Sequence, residues 1–259
     1  MGKTKDNRIG ECFKTKEGYE IIIIEYNRND DLWIEFQDKH KAIKNVEYRS
    51  CINGQVKNPY HPSVFGIGYL GVGKYEPTIN NKKTKQYDYW YNMMSRCYND
   101  KEIMKKPTYE QCFVNEEAHC FQDFCKWFDN NYYEVEEDKM CLDKDILVKG
   151  NKEYRFDRMI FVPQRINTLF IKSDSIRGDL PIGVYYHKAT NKYVAQCSIL
   201  TDKGQKRKHL GLYNTPEEAF KVYKQFKEAY IKEVANEYKD KIPQRLYDAI
   251  YNWVIEIDD

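Results

Sequence analysis

The first 75 residues alternate between short hydrophobic runs and turn signals. β-Branched and aromatic residues dominate the runs, and Asn, Asp and Gly separate them, which is typical of strands joined by tight turns. The runs occupy residues 19–26, 32–37 and 46–51, and the turns are Asn29-Asp30-Asp31 and Asn53-Gly54. This pattern predicts a small, strongly bent β-barrel over residues 1–76.

The middle of the chain changes to a helical period. Apolar residues recur at three- and four-residue spacing over 87–98 and again over 116–133, which predicts two helices. The irregular stretch 141–167 indicates a short hairpin followed by a helix. Residues 76–86, rich in Lys, Asn and Thr, have the composition of a linker.

The last part has the clearest pattern. Strand-like runs at 183–186, 193–200 and 208–213 are separated by turn-forming residues, Thr190-Asn191 and Asp202-Lys203-Gly204.

A helix should follow this third run. Thr215 supplies an N-cap, Pro216 fits the first helical position, and Glu217 and Glu218 are acids in the first turn. We expect the helix to continue to about Tyr238. The fold class is therefore α+β, and its last module is a three-stranded antiparallel sheet packed on one long helix.

The net charge of the whole chain does not indicate a partner, but the local charge of two segments is informative. The 42 Lys and Arg against 40 Asp and Glu leave only +2. Residues 181–213 contain six Lys or Arg and one acid, a local +5, which suits phosphate contact, although lysines that guard a hairpin edge would give the same count. Residues 110–145 contain eleven acids and three lysines, which indicates either a solvated helix face or a metal site.

The sequence shows no targeting or membrane signal. The N-terminal residues are polar, and the longest aliphatic run, Ile21 to Ile24, is too short to span a bilayer. We therefore expect a cytoplasmic protein that is not secreted.

The eight cysteines form no CxxC pair, and we interpret them as reduced thiols. The nearest approach to a zinc pattern is Cys112, His119, Cys120 and Cys125. We expect no structural zinc, because burial as a small hydrophobe is the commoner state of cysteine.

Three segments of the last module resemble the Apetala/ethylene-response-factor DNA-binding domain, which also occurs in phage homing endonucleases. They are Pro181 to Tyr185, Asn191 to Gln196 and His209 to Ala219. In that family the three-stranded sheet lies in the major groove of double-stranded DNA. The resemblance implies that one sheet face contacts DNA, and with the basic run it selects Tyr185, His187, Lys192, Tyr193, Gln196, Lys206, Arg207, Lys208 and His209. Ile182 and Tyr193 stand where the family usually has Arg and Trp.

The middle of the chain, from Trp90 to Asn167, resembles the HNH-like block of phage and plasmid proteins. Its markers include Arg96-Cys97-Tyr98, Leu142-Asp143-Lys144-Asp145 and Phe161-Val162-Pro163. The resemblance implies a ββα-metal motif in which Asp143 and Asn167 hold Mg²⁺ or Mn²⁺ against the scissile phosphate. Lys144 occupies the place of the usual histidine base, and Arg158 that of the central Asn.

Together these features predict a phage-type protein in the cytoplasm of a bacterial host. The predicted modules are a β-barrel (1–76), an HNH-like module (77–172) and an Apetala-type domain with a helical extension (173–259). The protein would bind double-stranded DNA and cut or nick it with a divalent metal. The alternative is a catalytically inactive DNA-binding protein, or a host-interaction protein directed against a bacterial defence system, that kept the HNH-like scaffold.

Overall fold

A computed structural model describes residues 8–136, 138–171, 178–201 and 204–259. The chain divides into two compact units, Met1–Asn130 with Glu153–Phe156 and Asn131–Lys152 with Asp157–Asp259. The predicted boundary at 172/173 lies outside the described residues, and the predicted division into three modules stays a prediction. Among the described residues, no helix is long and apolar enough to cross a membrane.

The first unit begins with a four-stranded antiparallel meander. Its strands are β1 (Cys12–Lys14), β2 (Glu20–Arg28), β3 (Asp31–Phe36) and β4 (Ile43–Val46), hydrogen-bonded in that order. Alternate residues of β2 and β3 point into a core that contains Ile21, Ile23, Leu32, Ile34 and Phe36.

This sheet is open, so the predicted closed barrel is wrong. Closure would require β1 and β4 to pair, but these edge strands are only three and four residues long and the described residues show no pairing between them. Helix α1 (Tyr48–Ile52) follows β4 instead. Its Tyr48 packs edge-on against Phe13 of β1, with ring centroids 5.8 Å apart, and both rings pack against the core.

The remainder of the first unit is mainly helical. Its elements are the hairpin β5 (Thr78–Ile79) and β6 (Lys82–Lys83), α2 (Lys85–Tyr98), α3 (Asp100–Lys105), β7 (Phe113–Val114), α4 (Phe121–Asn131) and β9 (Glu153–Tyr154), which pairs in parallel with β7. Short 3-10 helices cover Pro107–Tyr109 and Glu116–Ala118. The two predicted helices are confirmed as α2 and α4. Trp90 of α2 and Phe121 of α4 are fully buried, with ring centroids 5.5 Å apart.

The second unit contains two antiparallel sheets and two longer helices. Strands β8 (Met140–Asp143) and β10 (Ile160–Pro163) pair, and α5 (Gln164–Asn167) and a 3-10 turn (Thr168–Phe170) follow. Then come β11 (Val184–His187), β12 (Lys192–Thr201), β13 (Gly204–Tyr213), α6 (Pro216–Glu237) and α7 (Gln244–Tyr251). Strands β11, β12 and β13 pair in that order, which confirms the three-stranded sheet followed by a long helix.

The start of α6 has the capping pattern expected from the sequence. The Thr215 hydroxyl accepts a hydrogen bond from the Glu218 backbone N–H at 3.2 Å, and the Glu218 carboxylate accepts from the Thr215 N–H at 3.4 Å. This reciprocal capping box satisfies two amides that the helix itself leaves unpaired.

One core joins these elements of the second unit. It includes Val162 of β10, Ala195 of β12, Ile231 and Val234 of α6 and Leu246 of α7. Polar contacts add to it: Arg165 lies 2.6 Å from Glu237, and the Tyr238 hydroxyl donates to Asp138 at 2.5 Å. The β8–β10 pair is therefore packed with the C-terminal sheet and helix.

Candidate nucleic-acid interface

The register of the three C-terminal strands defines two faces. Successive side chains of a strand point to opposite faces, and directly paired residues share a face. Val184 pairs with Ala195, and both lie in the core with α6, so theirs is the helix-facing side. The opposite, outer face is set by four pairings: Tyr185 with Val194, His187 with Lys192, Gln196 with His209, and Ser198 with Arg207.

A β-bulge keeps the two ends of β13 on a common surface. Gln196 pairs with His209 whereas Ala195 pairs with Gly211, so Leu210 is the extra residue. Gly211 next to it has a φ of +134°, a conformation that suits glycine. Because the bulge resets the alternation, Leu212 and His209 share the outer face although they are three residues apart.

The structure places six of the nine predicted DNA-contacting residues on the outer face. These are Tyr185, His187, Lys192, Gln196, Arg207 and His209.

The other three residues, Tyr193, Lys206 and Lys208, belong to the helix-facing side. Tyr193 packs against the core, and its ring centroid lies 5.3 Å from that of Tyr186. The Lys208 ammonium lies 4.6 Å from the centre of the Phe226 ring of α6. The family resemblance selected Tyr193 and the local charge selected the two lysines, and neither criterion reveals the face on which α6 packs.

The outer face is basic and partly aromatic. Of the four Lys and Arg in the three strands, Lys192 and Arg207 lie on this face, and the described strand residues include no Asp or Glu. Tyr185 and Leu212 are 39% and 43% exposed, whereas Val194, which pairs with both, is buried. A cationic surface with planar and amide side chains can contact phosphates and base edges together.

Local contacts fix the turn between β11 and β12. Asn191 adopts a left-handed φ of 52°, and its side chain accepts a hydrogen bond from the Tyr186 hydroxyl. Nδ1 of His187 lies 2.9 Å from the Thr190 hydroxyl oxygen. These contacts orient His187 and Lys192 at one end of the outer face. The other predicted turn residues, Asp202 and Lys203, lie outside the described residues.

The helix-facing side of the sheet packs closely against α6. Gly183 precedes β11 with a φ of +76°, and a Cβ there would overlap the Tyr223 ring of α6. Lys227 of α6 is buried, and this burial lowers the pKa of its ammonium. Burial likewise raises the pKa of the Cys197 thiol, which faces the same core.

Each of the two predicted metal-binding residues is the last residue of an element of the second unit. Asp143 is the last residue of β8 and Asn167 the last of α5. Oδ1 of Asp143 accepts hydrogen bonds from the backbone N–H groups of Asp145 and Ile146, at 2.9 and 2.8 Å. Burial, together with the neighbouring Asp145 charge, raises the pKa of Asp143 to about 6.

Lys144, predicted at the position of the base, is buried. Its ammonium lies 3.3 Å from Oδ2 of Asp145, and its carbonyl accepts a hydrogen bond from the Asn151 side chain at 2.6 Å. Strand β8 also contacts α5, because the Cys141 thiol donates to Oε1 of Gln164 at 3.0 Å. The described part of the chain contains no group of three or more His, Cys, Asp or Glu arranged to hold a metal ion.

The cysteines nearest to a zinc pattern, Cys112, Cys120 and Cys125, are buried free thiols. Burial raises the pKa of Cys120, and that of Cys125 to about 12. A zinc ligand must be a thiolate, so these surroundings favour the protonated form. The expectation that the protein has no structural zinc stays a prediction.

Comparison with known proteins bears on the C-terminal sheet. Residues 180–233 match the family model described as the AP2 domain, which spans β11 to β13 and most of α6. No curated protein and no solved structure matches the chain. The match confirms the resemblance of the C-terminal segment, while the HNH-like resemblance stays a prediction. An AP2 domain at residues 180–233 supports the binding of double-stranded DNA.

Proposed function

We propose that the protein binds double-stranded DNA with the outer face of the β11–β13 sheet lying in the major groove. The carrying observation is that the segment matching the AP2 domain presents a face with cations and without acids among its described residues. A two- or three-stranded ribbon is narrow enough to enter the major groove of B-form DNA.

The outer-face residues divide by chemistry into two roles. Lys192 and Arg207 are exposed cations at opposite ends of the face and contact phosphates. Gln196, half-buried near the middle of the face, presents an amide that can donate to and accept from the edge of an adenine. Phosphate contacts supply affinity for all sequences, and Gln196 supplies a preference.

The test compares two double variants with equal charge loss on the same sheet. Lys192→Gln with Arg207→Gln removes outer-face cations, whereas Lys206→Gln with Lys208→Gln removes cations of the helix-facing side. We expect the first to weaken binding roughly tenfold and to reduce the slope of log K against log salt by about 1.8, since each phosphate contact contributes about 0.9. The second should weaken binding much less. Fluorescence anisotropy over a salt series measures both.

Two results would contradict the proposal. One is an equal loss in both double variants, which would indicate attraction without a defined face. The other is a wild-type protein that binds no duplex at about 50 mM salt, where phosphate contacts are strongest.

Metal-dependent cleavage is a second candidate function, favoured by the order of elements around Asp143. An antiparallel strand pair is followed directly by a short helix, and Asp143 and Asp145 place two carboxylates close together. Such hard oxygen donors fit Mg²⁺ or Mn²⁺, which when bound would supply Lewis-acid activation of water. Asp143 and Asn167 would hold the ion.

A plasmid-nicking assay separates this enzyme from a non-enzymatic DNA-binding protein. With Mg²⁺ or Mn²⁺, an active protein should nick supercoiled plasmid, EDTA should stop it, and Asp143→Asn or Asn167→Ala should abolish it without loss of DNA affinity. The exposed Asp240→Asn is the matched control. If the plasmid stays intact while the protein is fully bound to DNA, the catalytically inactive alternative is favoured. A host protein partner for that alternative also stays a prediction.

A further inference from the structure

The residues directly before α2, predicted to be a linker over 76–86, contain a defined hairpin. Thr78 pairs with Lys83 and Ile79 with Lys82. Asn80 and Asn81 form the two-residue turn with φ values of 50° and 60°. Two left-handed residues in succession are the requirement of a type I′ turn, which matches the twist of a tight hairpin.

The base of this hairpin is anchored to α2. The Thr84 N–H donates to the Pro77 carbonyl at 3.0 Å, and the Thr84 hydroxyl donates to the Glu76 carbonyl at 3.1 Å. The same hydroxyl caps α2 by accepting from the Tyr87 N–H at 3.3 Å. The hairpin is thus held at the N-terminus of α2, a helix with one buried side that includes Trp90.

Its two faces differ. Lys83 turns toward α2, where its ammonium lies 4.8 Å from the centre of the Tyr91 ring. Ile79 and Lys82 pair with each other and, by the alternation of strand side chains, point the opposite way. Ile79 is 58% exposed, and Lys82 is exposed and forms no ion pair with a described residue.

The charge around the hairpin is mainly positive. Residues 74–85 contain four lysines and one acid, Glu76, a local charge of +3. The tip therefore combines an ammonium group, two amide side chains and an unpartnered aliphatic side chain. These groups match, in turn, the phosphates, the base edges and the stacked base steps of duplex DNA.

We propose that the hairpin Thr78–Lys83 is a second double-stranded-DNA contact, which inserts its Ile79-to-Lys82 tip into a groove while the surrounding lysines contact the backbone. This inference rests on the proposed DNA binding by the C-terminal sheet. When two contacts lie on one chain, binding by one raises the effective concentration of the other near the same duplex. Loss of either contact therefore weakens binding without abolishing it.

The test uses the full chain and a matched pair of variants in the first unit. Ile79→Ser with Lys82→Gln removes the apolar and cationic groups of the tip. Met104→Ser with Lys101→Gln makes the same chemical changes on α3, where Met104 is 81% exposed and Lys101 is also exposed. Because all four side chains are exposed, both variants should unfold at the wild-type temperature.

We expect the hairpin variant to bind a non-specific duplex roughly fivefold to tenfold more weakly, with a salt slope smaller by about 0.9 for one lost phosphate contact. The control should stay within about twofold of wild type, as expected for a surface without DNA contact. Equal affinity and slope in the hairpin variant and wild type would overturn the inference.

The outer-face variant Lys192→Gln with Arg207→Gln separates the two proposals. If it binds like wild type while the hairpin variant is weakened, the C-terminal proposal fails and the hairpin contact remains. If only the outer-face variant is weakened, the hairpin proposal fails. A wild-type chain that binds no duplex overturns both.

Discussion

The N-terminal sheet, β1–β4, and the C-terminal sheet, β11–β13, share an architecture but differ in surface. Each is an open antiparallel sheet with one face in a hydrophobic core. The N-terminal strands contain four acids and three Lys or Arg, whereas the C-terminal strands contain four Lys or Arg and, among described residues, no acid. The two sheets therefore differ in their charge and not in their architecture, and the proposed DNA contact depends on that difference.

The exposed faces also differ in their apolar groups. On the N-terminal sheet, Trp33 and Ile43 are 38% and 52% exposed. Trp33 pairs with Glu25, and Ile43 pairs with Glu35. Carboxylates beside these groups would repel phosphate. On the C-terminal sheet, Tyr185 pairs with Val194 instead, and the described residues of the three strands include no carboxylate. The charged residues around an exposed aromatic side chain therefore determine whether phosphate can approach it.

The cores beneath the two sheets differ as well. The N-terminal core is made of aliphatic and aromatic side chains with Cys51, whereas Lys227 is buried under the C-terminal sheet. A buried ammonium costs stability unless it is well compensated. Among the described residues, the core under the C-terminal sheet thus contains a buried charged group, whereas the core of the N-terminal sheet contains none.

The largest expected effect is on the packing of the C-terminal sheet. Gly183→Ala should lower the free energy of unfolding by about 3 kcal/mol, because a left-handed φ and overlap with the Tyr223 ring both oppose a Cβ. Gly10→Ala beside the N-terminal sheet is the control: its φ is +90°, but a Cβ would meet nothing within 4 Å, so about 1 kcal/mol is expected. Urea unfolding measures both, and equal losses would contradict the steric explanation.

A smaller effect tests the charge difference directly. Ser198→Glu places a carboxylate on the outer face opposite Arg207 and should weaken DNA binding by about 2 kcal/mol, roughly thirtyfold. Asn45→Glu adds the same charge to an exposed position of the N-terminal sheet and should leave affinity nearly unchanged. A comparable loss in both variants, measured by anisotropy, would show that net charge alone matters.

The smallest effect concerns the buried lysine. Lys227→Met should raise the free energy of unfolding by about 1 kcal/mol at neutral pH and leave DNA affinity unchanged. Burial lowers the pKa of Lys227 in the folded state, so its ammonium destabilises the fold wherever the unfolded lysine is protonated. The gain should shrink as the pH rises toward 10.5, the ordinary lysine value. Thermal unfolding across pH checks this, and a constant gain would point to packing alone.

The amino-acid sequence by itself determined the features that depend on neighbouring residues. The helix start at Thr215 is a four-residue signal, and the helical period of α2 and α4 is likewise local. The strand runs and the concentration of cations in 181–213 are also properties of short segments. The resemblance to the AP2 domain follows from these same residues.

The hairpin Thr78–Lys83 was missed although a local signal existed. Its strands are only two residues long, too short for an alternating pattern to emerge. Asn80-Asn81 was the available signal, because Asn tolerates a positive φ and is favoured in two-residue hairpin turns.

Only the tertiary structure decided the features that depend on distant elements. Whether the N-terminal strands close into a barrel depends on whether β1 and β4 pair, and these strands are the two edges of the sheet. The assignment of Tyr193, Lys206 and Lys208 to the helix-facing side depends on where α6 packs. Neighbouring residues of a strand share the same local sequence, but their side chains point to opposite faces of the sheet. Which face is buried is therefore decided by the distant element that packs on it.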